Sequence, residues 1–272
     1  MQYEPLKKTL GKFFEGSLFL RKTFYFLLDL LLLRTWHVKK ALRKIARQLP
    51  ANASVLDAGS GFGQYSWNMS RMNSSWNIKA IDINSEQIED CNRFFGQAGL
   101  SDRVKFQTAD LTTLDDNNLY NLILSVDVME HIEEDVRVFR NFYKSMINNG
   151  ILLISTPSDK GGSDVHNESD ESFIDEHVRD GYSVKDITDK LTNAGFSNIK
   201  ALYTYGKPGN ISWRLLMKYP IEMLNVSYLF FIILPFYYLI SFPVSIILNL
   251  FDLRLSHKTG TGLLVTAMKQ LS

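Results

Sequence analysis

The stretch from Val55 to Tyr65, VLDAGSGFGQY, constrains the fold more than any other part of this 272-residue chain. An apolar run closes on Asp57, glycines follow at the alternate positions 59, 61 and 63, and helical spacing begins at Gln64. This pattern reads as a strand, a tight turn and a helix start. Glycine suits a turn whose φ goes positive, and it lets a ligand approach the backbone without meeting a Cβ. The dinucleotide fingerprint G-x-G-x-x-G needs a glycine at position 64. Gln64 stands there instead, which disfavours a dinucleotide-dependent oxidoreductase.

Short apolar runs at Ile78–Asp82, Val104–Gln107, Leu122–Val126 and Ile151–Ser155 read as further strands, with helices expected over 86–98 and 133–147. Ser85 is placed to cap the first of these and Gly99 to stop it. Alternation at this spacing argues for a doubly wound parallel sheet. Ligands of such sheets sit beyond the carboxyl ends of the strands. Asp57, Asp82, Asp110, Asp127 and Thr156 all fall at those ends. Asp82, about 20 residues past the glycines, is spaced to accept from both ribose hydroxyls of an adenosine cofactor.

The D-x-G-x-G-x-G loop with these acids resembles motif I of the class I S-adenosylmethionine (SAM) methyltransferases, over roughly residues 50–206 and 260–270. The resemblance implies an α/β, Rossmann-like sheet of seven strands. Its last two, Ile199–Tyr205 and Gly262–Lys269, would close as an antiparallel pair. It implies S-adenosyl-L-methionine as cofactor, met by Asp57, Gly59, Gly61, Gly63, Asp82, Ile83, Asp110, Leu111 and Asp127. Asp110 would take the adenine amine.

Asp127-Val128-Met129-Glu130-His131-Ile132 resembles the E-H-[VIL] stretch of quinone-biosynthesis methyltransferases. One branch of that family binds a divalent ion with two acids and a histidine at this spacing. Asp127 replaces the branch's first glutamate, and no metal is expected here. Asp127 or Met129 is expected at the cofactor, with His131 facing the acceptor. The polar stretch 157–182 ends in His177-Val178-Arg179-Asp180-Gly181-Tyr182-Ser183, which resembles the segment after strand five in lipid- and quinone-directed methyltransferases. Loops of this length tend to be lids or binding loops. Glu130, Arg179 and Tyr182 are therefore expected at the substrate, and Ser183 at the cap of a helix over 184–194. His131, His166 and His177 are the candidates to take a proton from the acceptor, since a histidine near its unperturbed pKa suits that role.

Charge is unevenly distributed. Residues 1–48 carry eleven Lys and Arg against Glu4, Glu15 and Asp29, a net +8 that leaves −7 for the remainder. An excess of this kind points to an anionic partner. Residues 10–33 mix Phe and Leu with Lys12, Arg21 and Lys22, which fits a helix in the headgroup interface; a helix packed over the edge of the core is the alternative. Residues 36–49 read as an amphipathic helix stopped by Pro50. The single Cys91 excludes an internal disulfide and suits a reducing compartment. No secretory signal is evident, because the apolar run 24–33 contains Asp29 and leads to Arg34-Thr35-Trp36.

Between the last two strands, Met223 to Phe251 has no charged residue over 29 positions. A single crossing of a bilayer is excluded, since both flanking strands belong to one sheet. Two crossings need about 40 apolar residues. Pro235 and Pro243 are expected to break helical bonding and give a bent or re-entrant segment. Trp213, Arg214, Lys218 and Tyr219 before it, and Arg254, His257 and Lys258 after it, would anchor at the interface. The chain thus divides into a basic helical region 1–49, a cofactor-binding core 50–206, a hydrophobic insertion 207–260 and a last strand 261–272. The expected function is methylation, by preference O-methylation, of a lipid-like or quinol/phenol-type acceptor by an enzyme bound peripherally or monotopically to the cytoplasmic face of a membrane with anionic headgroups. N-methylation of an aminolipid and a SAM-binding scaffold without turnover are the rivals. A lid buried in a homodimer is the alternative reading of the insertion. Nucleic acid is disfavoured, because the cations are interleaved with aliphatic bulk.

Overall fold

The computed structural model describes residues 17–161, 178–227 and 229–270. Two helices, α1 (Leu18–Leu31) and α2 (Leu33–Ala46), precede the sheet. Then come β1 (Ser54–Ala58), α3 (Gln64–Met72), β2 (Asn77–Asp82), α4 (Ser85–Gln97), β3 (Val104–Thr108), β4 (Tyr120–Val126), α5 (Asp135–Ser145), β5 (Met146–Pro157), α6 (Val184–Asn193) and β6 (Ser197–Thr204). An insertion of helices follows, and β7 (Gly262–Met268) ends the fold. The strand order is β3-β2-β1-β4-β5-β7-β6. The first five strands are parallel, and β7 lies antiparallel between β5 and β6, as the resemblance implied.

Alternate residues of the central strands feed opposite faces, because successive side chains of a strand point to opposite sides. Val55, Leu122, Leu124 and Leu153 pack with Tyr25, Leu42, Met69, Phe94 and Phe95 on one face. Leu56, Ile123, Leu152 and Ile154 pack with Phe139, Phe142, Ile187 and Leu191 on the other. The cap of α4 is Asn84, whose side chain accepts from the Gln87 N–H, and Ser85 is already inside the helix. Ser183 caps α6 as expected, accepting from the Asp186 N–H.

The N-terminal helices pack over the edge of the core, the alternative that the sequence left open. Phe24 and Tyr25 of α1 and Val38, Leu42 and Ile45 of α2 belong to the same buried cluster as β1 and β2. One face of each helix is thus buried against the sheet, while Phe19, Phe26, Leu27 and Leu31 of α1 remain exposed.

The insertion is a helical hairpin. Its first arm runs through α7 (Lys207–Trp213), a π-helical turn (Arg214–Lys218) and α8 (Tyr219–Val226). Its second arm is α9 (Phe230–Arg254). Ser212 Oγ donates to the Ser245 carbonyl, and the Tyr237 and Tyr238 hydroxyls donate to the carbonyls of Leu215 and Leu216. These bonds make the arms antiparallel, the first ending at Val226 and the second beginning at Phe230. Pro235 and Pro243 do not break α9, contrary to the sequence expectation. Each proline forfeits one intrahelical bond, and the packed first arm keeps the remaining turns in line. Among the described residues α9 is the one helix long and apolar enough to cross a membrane, and only 17% of its most apolar stretch is buried.

The hairpin is fastened at its root. The Asp252 carboxylate is fully buried and accepts from the Gly209 N–H at 3.0 Å, with His37 Nε2 at 2.8 Å and His257 Nε2 at 3.2 Å. Burial opposes ionisation, but the His37 bond, the two imidazoles and the amide outweigh it and hold the carboxyl below its usual range. A depressed carboxylate stabilises the fold above the ordinary pKa near 3.9 and loses that contribution as pH falls through its lower folded value. Asp252→Asn is therefore expected to lower unfolding free energy at neutral pH by about 1–3 kcal/mol, read from urea melts. Equal stability of the two proteins at pH 7 would remove Asp252 from this role.

Candidate active site

The glycine loop joins β1 to α3 and holds three left-handed residues: φ is +79° at Gly59, +49° at Gly61 and +76° at Gly63. A Cβ at Gly59 would lie 2.2 Å from Val128 Cγ2, so this position excludes a side chain by space as well as by φ. The Gly59 and Ser60 N–H groups both donate to the Ile81 carbonyl at 2.9 Å. The Gly61 N–H donates to Asp82 Oδ2 at 2.8 Å, and the Asn84 N–H to Oδ1 at 2.9 Å. The loop is thereby pinned to the carboxyl end of β2.

Asp57 is 2% exposed and accepts from Ser66 Oγ at 2.6 Å. Burial pushes its carboxyl up to about 6 against the Ser66 hydrogen bonds. The acid that opens the motif thus ties β1 to α3 beneath the loop. Asp82 is half-buried, and its two amide bonds leave each oxygen a further lone pair for ribose hydroxyls. Ile83 beside it is 76% exposed, an apolar face suited to a base. Exposed Asp110 caps the 3₁₀ turn Leu111–Thr113 by accepting from the Thr112 N–H, while Leu111 is buried. A Cβ at Gly61 would meet nothing nearer than Gln87 Oε1 at 3.9 Å, so the loop is open there. Carboxylates for hydroxyls and an amine, an apolar face and an open glycine fit an adenosine cofactor.

At the end of β4, Asp127 has φ +51°, an uncommon conformation for a residue with a side chain. Its carboxylate is ion-paired with Arg34 of α2. The 3₁₀ turn Met129–His131 follows, with Met129 and Glu130 buried and His131 exposed. Thr156 Oγ1 donates to Glu130 Oε2 at 3.0 Å. Burial pushes the Glu130 carboxyl above its usual range, against the nearby charges of His131 and Arg34. Among the described residues no group of three or more His, Cys, Asp and Glu side chains is placed to hold a metal. His166 and His177 lie outside the described residues.

Arg179 and Tyr182, expected at the substrate, form a brace behind this turn. Tyr182 is completely buried; its hydroxyl donates to Asp135 Oδ2 at 2.7 Å and lies 3.0 Å from the Met129 carbonyl. Arg179 donates to the carbonyls of Met129 and Glu133 and pairs with Asp135, which also pairs with Lys190. Tyr182 has no exposed surface to offer an acceptor, so its role is to hold the turn that presents His131.

Sequence reasoning missed the contribution of α1. Arg21, Tyr25 and Asp29, each four residues apart, line its inner face. Arg21 and Tyr25 donate to the Phe62 carbonyl at 3.0 and 2.5 Å, and Arg21 pairs with Asp90 at 2.7 Å. Asp29 accepts from Gln64 at 2.7 Å and from Asn68 at 3.0 Å. The i, i+4, i+8 spacing of polar residues inside an apolar stretch was the available signal.

The sheet order, the glycine loop and the acids at the strand ends define a nucleoside-cofactor fold of the SAM-dependent methyltransferase class. The chain matches the family described as "Methyltransferase domain" over residues 49–203, more than half its length, and belongs to it. Among curated proteins it is 30% identical to phosphoethanolamine N-methyltransferase 1 of Triticum aestivum over 155 residues, 56% of this chain and 30% of that protein. It is 26% identical to a ubiquinone biosynthesis O-methyltransferase of Rickettsia conorii over 102 residues, 38% of this chain and 34% of the relative. The chain thus spans about a third of the curated relatives it matches. Two solved structures share the fold. A sarcosine dimethylglycine methyltransferase from Galdieria sulphuraria aligns with a TM-score of 0.59 at 17% identity, covering 87% and 85% of the two chains. A phosphoethanolamine N-methyltransferase 2 from Haemonchus contortus, in complex with S-adenosyl-L-methionine, aligns at 0.60 and 16%, covering 87% and 53%.

Two substitutions separate the cofactor pocket from the brace. Asp82→Ala is expected to weaken S-adenosylhomocysteine binding by roughly 1–3 kcal/mol, measured by calorimetry. Tyr182→Phe is expected to lower the unfolding midpoint while leaving that affinity within a factor of about two. The reverse pattern would move Tyr182 into the pocket.

Proposed function

We propose that this chain transfers a methyl group from SAM to a lipid-like acceptor residing in a membrane, onto which the hairpin docks it. The observation that carries this reading is topological. Gly262 at the start of β7 pairs with Thr204 at the end of β6 and with Pro157 at the end of β5. The hairpin therefore leaves and rejoins the sheet on the edge where Asp82, Asp127 and Thr156 lie. An apolar element rooted on the same edge of the sheet as the cofactor loop, three strands from β1, brings the acceptor's solvent to the side of the donor's site.

The two arms differ in polarity. Exposed Phe231, Ile232, Phe236, Leu239, Ile240, Val244, Ile247 and Phe251 form a long stripe on α9, spaced mostly three or four residues apart. The first arm carries Arg214, Lys218 and exposed Glu222. A hairpin with one greasy arm and one charged arm suits a monotopic position in the interface, with α9 toward the acyl chains. Exposed Lys40, Arg43 and Lys44 of α2 and Arg47 at its cap, with Arg254 and Lys258 at the hairpin root, suit anionic headgroups on the cytoplasmic face.

When bound, the cofactor supplies a methyl group already activated on a sulfonium. The chain's own residues have then to align the acceptor, exclude water and take its proton. His131, exposed at the end of β4 on a turn fixed by Thr156, Tyr182 and Arg179, is the residue we assign to the proton. Glu130 stays buried under it. A phenol- or quinol-type hydroxyl is the acceptor we assign first. An aminolipid is the second reading, favoured by the longer match to the phosphoethanolamine N-methyltransferase, 155 residues against 102.

The purified chain is expected to float with phosphatidylglycerol-containing vesicles, and Ile240→Glu combined with Ile247→Glu to abolish flotation while preserving S-adenosylhomocysteine binding. Incubation with labelled SAM and total membrane lipid should label an organic-soluble species heavier by one methylene, with retained label after His131→Ala reduced at least about a hundred-fold. Cofactor binding without any labelled lipid would favour the scaffold reading, and soluble product alone would remove the membrane from the reaction.

A further inference from the structure

Helix α1 has two faces of different character. Arg21, Phe24 and Tyr25 are buried inward, while Phe19 is 75% and Phe26 61% exposed, with Leu27 and Leu31 beside them. At 100° per residue Phe19 and Phe26 lie on the side of the helix opposite Arg21, Phe24 and Tyr25, with Leu27 and Leu31 on the flank between the two sets. The inner set holds the cofactor loop. Two donors, Arg21 Nη2 and the Tyr25 hydroxyl, converge on the carbonyl of Phe62, the residue between two left-handed glycines. That fixes the Phe62–Gly63 peptide plane, while Asp82 holds the loop one residue earlier through the Gly61 N–H. Asp29 fastens the first turn of α3 through Gln64 and Asn68, and is itself held by Lys39 of α2.

Among the described residues nothing covers the outer set. Three observations point to a bilayer as its occupant. Exposed Lys22 lies on the same helix, and the cations Lys40, Arg43 and Lys44 stand exposed on the next, with Arg47 at its cap. Helix α2 packs on α1 and also on the root of the hairpin, through the His37–Asp252 pair and the Lys40 bond to the Leu253 carbonyl. Aromatic and aliphatic residues flanked by lysine and arginine are the composition of interfacial helices.

We propose that α1 couples membrane docking to cofactor binding: its outer face enters the interface, and its inner face then holds the glycine loop in the conformation that binds SAM. The proposal rests on the membrane reading above and adds regulation to the same site. Arg21 and Tyr25 are positioning residues, acting on the cofactor through the Phe62 peptide. The attachment of α1 relies in part on a buried Arg21–Asp90 pair, which is a weak source of net stability because of its desolvation cost. A bilayer that binds only the docked helix shifts the balance toward it, and linkage requires the effect to run both ways.

The test uses the full chain, S-adenosylhomocysteine, and vesicles of phosphatidylglycerol with phosphatidylcholine. Vesicles should tighten S-adenosylhomocysteine binding about ten-fold, and saturating S-adenosylhomocysteine should raise vesicle partitioning by the same factor. Phe19→Ser with Phe26→Ser, both solvent-facing, should keep the buffer affinity and thermal midpoint and still float through the hairpin, but lose the gain. Tyr25→Phe should weaken binding with and without vesicles. If wild type floats with unchanged affinity, or the double variant keeps the gain, the coupling through α1 is overturned and the membrane reading survives. If wild type does not float, both fall.

Discussion

The backbone of Gly59 to Gly63 turns through the left-handed region three times within five residues. Only glycine takes such a path cheaply, and at Gly59 the Val128 side chain closes the remaining space. A loop with so little intrinsic preference must be held by its surroundings, and each contact that holds it becomes part of the site. The Ile81 carbonyl, Asp82, Phe106 and Cys91 hold it from the sheet side. Arg21, Tyr25 and Asp29 hold it from α1. The cofactor pocket is therefore a joint between the sheet and the N-terminal helices, and neither makes it alone.

A second constraint follows from the antiparallel β7. Inserting it between β5 and β6 puts the end of β6 and the start of β7 on the carboxyl edge of the parallel strands. Any insertion at that point must rise from the active edge. A hairpin there changes what stands over the edge without disturbing the sheet, since its bonds run between its own arms and to α2. It meets the strands at its root, through the Tyr203–His257 bridge and the Ser158–Gly260 bond. This is how one fold accommodates different acceptors by varying what is grafted beside the site.

The sheet and glycine loop were legible because their signals are local. Strand alternation, glycine spacing and terminal acids are written in consecutive residues, and every strand was found to within a few positions, apart from β5 and its long first half. What was illegible depended on contacts distant in sequence. Arg179 and Tyr182 lie in a stretch that reads as a binding loop, but the buried Asp135, 47 residues away from Tyr182, converts them into a brace. Asp29 looked like an interruption in an apolar run until Gln64 and Asn68 met it 35 and 39 residues on. Pro235 and Pro243 read as breakers, because the sequence does not show the first arm lying along α9.

The joints of this molecule are polar where an apolar core would have been the more stable choice. Arg21 with Asp90, Asp29 with Lys39 and two amides, Asp252 with two histidines: each sets a buried or half-buried charge between two elements. Desolvation consumes most of what such pairs gain, so stability is a poor account of them. What they supply is register. An apolar face slides at small cost, whereas a carboxylate that loses its donors incurs the full penalty of an unpaired buried charge. All three joints involve α1 or α2, and α2 touches both the Asp29 cluster and the Asp252 cluster through Lys39 and His37. Two residues apart on one helix, these side chains fix the distance between the glycine loop and the root of the apolar hairpin.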